Sequence, residues 1–255
     1  FVALSFEQPQ VTTQTNANGV LNILDAIRHN HPNVKFYQAS TSEMFGKVLE
    51  TPQRETTRFW PRSPYGCAKA YAHHLTVNYR ESYNLHLNCG ILFNHESPMR
   101  GEEFVTRKIT KGLVHWLKNG KPVELGNLDS QRDWGHAEDY VEAMYLMMQQ
   151  KKSEDFVIAT GKNYTVKKFV ELAANHFGYK INWKGNGVST KGYDINSGKL
   201  LVDIDKKYFR PYDVENLLGS SEKARSKLKW KPKKNINDIV KEMCEYDFAI
   251  LKNAK

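Results

Sequence analysis

The chain has 255 residues, of which 40% are hydrophobic, 25% charged and 12% aromatic. That balance describes a folded globular protein and excludes disordered, collagen-like and disulfide-framework chains. The formal net charge of +9 comes from short clusters (Lys151 and Lys152; Lys231, Lys233 and Lys234), and no motif of the common nucleic-acid readers is present, so no nucleic-acid partner is expected.

Taken in chain order, the opening Phe1-Val2-Ala3-Leu4 has no methionine and no signal-peptide pattern, and it reads as the middle of a domain. Val20, Ile23, Leu24 and Ile27 recur at helical spacing, which predicts an amphipathic helix over residues 11–30, stopped by Pro32. Residues 34–39 (VKFYQA) read as a strand running into the polar turn Ser40-Thr41-Ser42-Glu43. Ser63-Pro64 opens a second helix, with serine at the N-cap and proline at the first helical position; its apolar stripe is Ala68, Tyr71, Ala72, Leu75 and Tyr79. Residues 87–93 (LNCGILF) read as a buried strand.

Alternating helices and strands predict an α/β fold with a doubly wound parallel sheet, whose ligands sit past the carboxyl ends of the strands. Thr41 and Asn94 both lie at such ends. Beyond Pro98 the pattern shifts to a helix over 102–117, a strand over 121–126, and a helix over 137–149 carrying Tyr140, Val141, Met144 and Met148. A strand over 156–159 follows, then a helix capped by Thr165, a polar glycine-containing loop over 180–200, and helices over 221–228 and 236–251. The second half therefore reads as a smaller α+β lobe. The division expected is 1–98, with 130–160 returning to it, for the sheet domain, and 99–129 with 161–255 for the lobe.

No apolar run reaches the ~18–20 residues of a membrane span, so no membrane partner is expected. Cys67, Cys89 and Cys244 are too few and scattered for a disulfide scaffold or a zinc site, which points to a reducing, cytoplasmic setting.

The chemistry concentrates in Tyr65-Gly66-Cys67-Ala68-Lys69. Spacing i, i+4 puts Tyr65 and Lys69 on one helical face. A free phenol is a poor base at neutral pH, and a neighbouring ammonium stabilises its phenolate. A tyrosine so tuned can take a proton from a hydroxyl as hydride leaves carbon. The same pair also fits a surface lysine beside a packed tyrosine. Thr41 can hydrogen-bond a reacting oxygen and Glu43 can move a proton on carbon, although Thr41-Ser42-Glu43 equally fits a helix cap. Asp133, Glu138 and Asp139 are better explained by a helix opening than by a metal, and the adjacent His73 and His74 cannot share a helical metal face, so no metal is expected.

Longer strings narrow the reading: S-T-S-E-M-F-G (40–46), P-R-S-P-Y-G-C-A-K (61–69), G-I-L-F-N-H-E-S-P (90–98), F-V-T-R-K-I (104–109), L-G-N-L-D-S-Q-R-D-W-G-H-A-E-D-Y-V (125–141), D-F-V-I-A-T-G (155–161) and Y-F-R-P-Y-D-V-E (208–215). Together they resemble the GDP-mannose 4,6-dehydratases of the extended short-chain dehydrogenase/reductase superfamily, over residues 3–250. The resemblance implies a Rossmann-like sheet domain with a nucleotide-sugar-binding lobe, NADP as cofactor, GDP-mannose as substrate and a homo-oligomer. It also implies conversion to GDP-4-dehydro-6-deoxy-mannose: oxidation at C4, loss of water across C5–C6 and hydride return to C6, a lyase reaction without net redox change.

By the same resemblance Thr41, Glu43, Tyr65 and Lys69 are catalytic, with Tyr65 and Lys69 also touching the cofactor. His95 and Arg100 are cofactor contacts, and Asn94, Val105, Lys108, Arg132, Arg210 and Glu215 form the substrate cradle. Within enzymes, an epimerase or reductase of the same superfamily is the alternative; a non-catalytic nucleotide-sugar-binding fragment is the other. The chain departs from the family in having no G-x-x-G-x-x-G turn, in Val11 where a cofactor-facing tyrosine is usual, and in Met99 where an arginine is usual. A sheet lacking its first strands exposes an unpaired edge, so this stretch alone is expected to be inactive.

Overall fold

The computed structural model describes residues 2–208 and 217–253. Arg210 and Glu215 lie outside the described residues. The chain divides into two compact units, Phe1–His95 with Asp133–Asn163 and Asn216–Lys233, and Glu96–Arg132 with Tyr164–Glu215 and Lys234–Lys255. Residues 217–233 group with the first unit.

The first unit is built on a parallel three-stranded sheet in which β2 (Leu87–Leu92) lies between β1 (Phe36–Thr41) and β6 (Asp155–Ile158). The helical start differs from the expected single helix. It begins earlier, with α1 (Val2–Glu7) and α2 (Pro9–Thr13), and a wide π-turn over Gln14–Asn18 joins α2 to α3 (Gly19–Asn30). Strand β1 runs two residues later than expected because its pairing with β2 extends from Phe36↔Leu87 to Thr41↔Leu92, taking Ser40 and Thr41 into the ladder.

Helix α4 (Pro64–Tyr83) follows the sequence reading closely: the Ser63 hydroxyl accepts the Gly66 N–H at 3.0 Å and Pro64 opens the first turn. Its buried stripe is Ala68, Ala72, Thr76 and Tyr79, whereas Tyr71 is exposed.

Both sheet faces are covered, and strand alternation shows how. Leu87 packs with Leu24 and Ile27 of α3 and Tyr79 of α4, while Leu92 packs on the opposite face with Tyr140, Ala143 and Met147 of α6 (Ala137–Gln149) and Phe156 and Ile158 of β6. Burying each of the leucine, isoleucine, methionine and phenylalanine side chains among these stabilises the unit by roughly 1.5–3 kcal/mol before entropy is counted. The face of α6 turned to the core carries buried Tyr140, Ala143 and Met147 with half-buried Met144 packed beside them; of the residues the helix was expected to carry, Val141 is 59% exposed.

The short strands β3 (Asn94–Glu96), β5 (Gln131–His136) and β7 (Asn163–Thr165) lie at points where the chain passes from one unit to the other.

In the second unit, residues 180–200 are not the loop expected. They form β8 (Ile181–Lys184) and β9 (Lys191–Asp194), which join β10 (Leu200–Ile204) and β4 (Val123–Leu125) in a sheet of order β4-β10-β9-β8. Gly185 and Gly187, at φ +80° and +55°, supply the left-handed turn between β8 and β9. Helices α5 (Val105–Asn119), α7 (Val166–His176) and α8 (Ile236–Asn253) complete this unit. Thr165 caps α7, as its position implies, accepting the Lys168 N–H at 3.0 Å. Between α5 and α8, the guanidinium of Arg107 and the carboxylate of Asp247 form a buried pair, to which the Thr110 hydroxyl donates at 2.7 Å.

No described helix is long and apolar enough to cross a membrane.

Candidate active site

The carboxyl end of β1 and the first turns of α4 are held together by main-chain geometry. Thr41 is the last residue of β1, and its hydroxyl oxygen accepts the Glu43 N–H at 3.3 Å, capping the 3-10 turn Ser42–Met44. The cap reading of Thr41 is therefore observed. It uses an acceptor lone pair and leaves the hydroxyl hydrogen able to donate elsewhere. Beyond the turn, Trp60 donates to the Met44 carbonyl and accepts from Lys47 N–H, at 3.0 and 2.9 Å, so the segment leading into α4 is strapped to the segment leaving β1.

Gly66 marks the closest approach. A Cβ there would stand 2.9 Å from the Glu43 carbonyl oxygen and 3.1 Å from Pro61 Cβ, so any larger residue pushes the helix start away from Glu43.

On α4, Tyr65 and Lys69 share a face, and the Lys69 Nζ lies 5.9 Å from the Tyr65 ring centroid. Lys69 is half-buried, and burial alone lowers its pKa below the usual lysine value. Among the described residues it makes no ion pair, so its ammonium donors are available to a ligand. Glu43 and Tyr65 are likewise half-buried.

Asn94 and His95 follow β2 in the same unit. His95 Nδ1 lies 2.9 Å from the Phe93 carbonyl oxygen and the ring stacks on Tyr140 at 5.0 Å, which fixes its plane.

The other predicted binding residues belong to the second unit. Arg100 pairs with Glu96 at 3.1 Å and lies over the Phe104 ring at 3.6 Å, so it is already committed to a buried carboxylate. Burial pushes the Glu96 carboxyl above its ordinary value against the pull of Arg100 and the Thr106 hydroxyl, which donates to it at 2.5 Å. Val105 opens α5. One turn on, Lys108 Nζ sits 2.9 Å from the Tyr208 ring centroid, and burial lowers its pKa. Arg132 is buried and donates to the Gln131 carbonyl at 2.9 Å.

Of the acidic residues read as opening a helix, Glu138 and Asp139 lie in the first turn of α6, but Asp133 lies in β5 and is fully buried. The Asp133 carboxylate accepts from the Thr160 N–H and hydroxyl and the Gly161 N–H at 2.6–2.9 Å, and Asp139 accepts the Lys233 N–H at 2.9 Å.

Sequence reasoning missed a buried polar group beneath the site. Ser40, His73, Arg80, Cys89 and Asp155 meet between α4 and the sheet. His73 and His74 still share no helical metal face; His73 turns inward by itself. Residues 69, 73, 76 and 80 recur on one helical face, and that polar stripe was the available signal. His73, Cys89 and Asp155 place potential ligand atoms within 4.8 Å of one another. Both Asp155 oxygens, however, are engaged by the Arg80 fork at 2.8 and 3.2 Å, and that fixed positive charge opposes a cation. Burial raises the Asp155 carboxyl, but the Arg80 bonds and charge outweigh it and hold the group below the ordinary range.

The family model described as GDP-mannose 4,6 dehydratase matches residues 1–243. The chain belongs to the GDP-mannose 4,6-dehydratase family. It is 50% identical over 254 residues to the GDP-mannose 4,6 dehydratase of Drosophila melanogaster, spanning 98% of this chain and 64% of that protein. It is 48% identical over 262 residues to the Vibrio cholerae family member, spanning 98% and 70%. The fold matches a solved structure, that of RMD from Pseudomonas aeruginosa complexed with NADPH, at a TM-score of 0.81 and 20% identity, over 98% of this chain and 78% of that one. The fold is thus that of the extended short-chain dehydrogenase/reductases, and the chain spans about two thirds of the length of the curated family members it matches.

Proposed function

We propose that the full protein dehydrates GDP-mannose to GDP-4-dehydro-6-deoxy-mannose, with the chemistry at the β1–α4 junction. The observation that carries this reading is Lys69: a half-buried ammonium without a carboxylate partner among the described residues, one helical turn from Tyr65 and on the helix whose start abuts Glu43.

NADP suits the same donors. An uncompensated ammonium in a half-buried setting asks for hydroxyl or phosphate oxygens, and a ribose offers the first. Tyr65, Lys69 and His95 would hold the cofactor, and the Pseudomonas structure containing NADPH supports that choice for the fold. Arg100 would add a positive charge, tempered by its pairing with Glu96. When bound, NADP supplies a hydride acceptor at C4 and a donor at C6.

The chain's own residues handle the protons. Tyr65, as phenolate, accepts the proton of the C4 hydroxyl; the nearby Lys69 ammonium stabilises that phenolate. Thr41 donates its hydroxyl hydrogen to the C4 oxygen and so orients it. Once C4 is a ketone, the C5 hydrogen is acidic, and Glu43 removes it. The same carboxyl, now protonated, gives the proton to the departing C6 hydroxyl, which leaves as water; once hydride has entered C6, the resulting enolate takes a proton at C5, which balances the one Tyr65 drew from the C4 hydroxyl. Asn94, Val105, Lys108, Arg132, Arg210 and Glu215 would cradle the nucleotide sugar, with arginine forks for the diphosphate. A reducing cytoplasmic setting fits the unpaired Cys67, Cys89 and Cys244, and the homo-oligomer implied by the resemblance is part of this reading.

Incubating the full-length protein with NADP and GDP-mannose tests it. NMR of the product is expected to show a C6 methyl and a C4 ketone or its hydrate. An epimeric hexose with its C6 hydroxyl intact, or unchanged GDP-mannose, would reject the proposal.

A further inference from the structure

We propose that His73 is a positioning residue: its hydrogen bond to Ser40 sets the register between α4, which carries Tyr65 and Lys69, and the end of β1, which carries Thr41. The inference rests on the roles proposed above for those residues. His73 lies four residues beyond Lys69 on the same helical face, and Ser40 immediately precedes Thr41. Their side chains meet at 2.9 Å between Nδ1 and Oγ, and both residues are at most 5% exposed.

Other polar contacts between α4 and the sheet accompany the bond. Arg80, further along that face, grips Asp155 on β6 and donates to the Leu87 carbonyl at the start of β2 at 3.2 Å. His73 Nε2 faces the same Asp155 at 4.0 Å. Polar ties therefore reach all three strands, and His73 supplies the one nearest the reacting groups.

Main-chain ties hold the start of α4 beside Glu43, and further along the helix apolar packing adds little to the register. The α4 residues against the sheet near the site are Ala68 and Ala72, whose small surfaces allow a helix to slide. A hydrogen bond is directional, and burial makes its loss costly because the Ser40 hydroxyl would be left without water. Edge-on contacts with Phe59 at 5.1 Å and His74 at 5.6 Å hold the imidazole plane. Burial, with His74 and Arg80 reinforcing it and Asp155 opposing, lowers the His73 pKa to about 4. The ring is thus neutral near pH 7. Asp155 stands 4.0 Å from Nε2, and on that ground we assign the ring hydrogen to Nε2, which leaves Nδ1 to accept the Ser40 hydroxyl hydrogen.

The test compares Ser40→Ala, His73→Phe, His73→Asn and the Ser40→Ala/His73→Phe double variant in the full-length protein with NADP and GDP-mannose. Phenylalanine keeps the ring volume and removes the bond; asparagine returns a polar atom close to where Nδ1 stands. His73→Phe and Ser40→Ala are each expected to lower kcat about tenfold with KM within about twofold, the scale of a small misplacement of reacting groups. The double variant should be no slower than the slower single one, and His73→Asn should recover at least half of kcat.

Affinity for NADP, measured by fluorescence without substrate, should weaken about threefold in both single variants through displaced Lys69 and recover in His73→Asn. That readout stands whether or not GDP-mannose is the substrate, so a wild-type protein without turnover rejects the function proposed above while the binding series still decides this one. Folded single variants with wild-type kcat and NADP affinity would overturn the inference. So would losses that multiply in the double variant, or a His73→Asn protein as slow as His73→Phe. If His73→Phe does not fold, Ser40→Ala and His73→Asn decide: a wild-type Ser40→Ala overturns it.

Discussion

Tyr65→Phe is expected to lower kcat by about 10²–10⁴-fold, the range typical of removing a positioned general base, while GDP-mannose binding stays within a few-fold of wild type. The substitution deletes one oxygen and keeps the ring beside Lys69. Because Tyr65 is half-buried in the first turn of α4, and the cap at Ser63 lies upstream, the helix start should be undisturbed. Binding by isothermal calorimetry and turnover by product NMR separate the two effects. A Tyr65→Phe protein that turns over at close to the wild-type rate removes Tyr65 as the base. One that loses both turnover and binding would make it a structural residue.

Glu43→Gln is expected to stop the reaction part-way. The amide matches the carboxylate in size and can still hydrogen-bond, but it cannot accept the C5 proton. Formation of the C6 methyl should fall by about 10²–10⁴-fold. Oxidation at C4 does not involve Glu43, so a 4-keto sugar still carrying its C6 hydroxyl should build up on the enzyme. Quenching with borodeuteride and finding deuterium at C4 of a hexose with its C6 oxygen retained would detect it. Wild-type methyl formation by this variant would assign the C5 proton to another group. The placement of Glu43 makes the experiment clean: its main chain is held by the Thr41 cap and the Gly66 approach, neither of which uses the carboxylate.

What the sequence disclosed and what it hid divide along the range of the interactions involved. The start of α4 was legible because Ser63, Pro64 and the Gly66 N–H lie within one turn. The limits of α6, Ala137–Gln149, were legible for the same reason. The β8–β9 hairpin was not. Its residues alternate, half-buried Ile181 and Trp183 with exposed Asn182 and Lys184, but the charges and glycines made the stretch read as a loop. Asn186-Gly187 between alternating residues was the turn signal that could have corrected this.

On α6 hydrophobicity picked out Tyr140 and Met144, which do pack on the core, but it also picked out exposed Val141 and passed over small, buried Ala143.

For the site, Tyr65, Lys69, Thr41 and Glu43 were nominated by strings within a few residues, and two of those strings meet at Gly66. The bond between Ser40 and His73 joins residues 33 apart through packing of helix on strand, and no local pattern reports it. Arg100 illustrates the opposite limit: the sequence shows a cation near the site, and only the structure shows the buried Glu96 that already holds it.

The most direct test of the central claim follows the hydrogen at C5. If a carboxylate at the β1–α4 junction removes that proton before water leaves, product made by the wild-type protein in deuterium oxide, quenched early, carries deuterium at C5 in every molecule that has gained a C6 methyl. Product with the original protium at C5 would contradict the account.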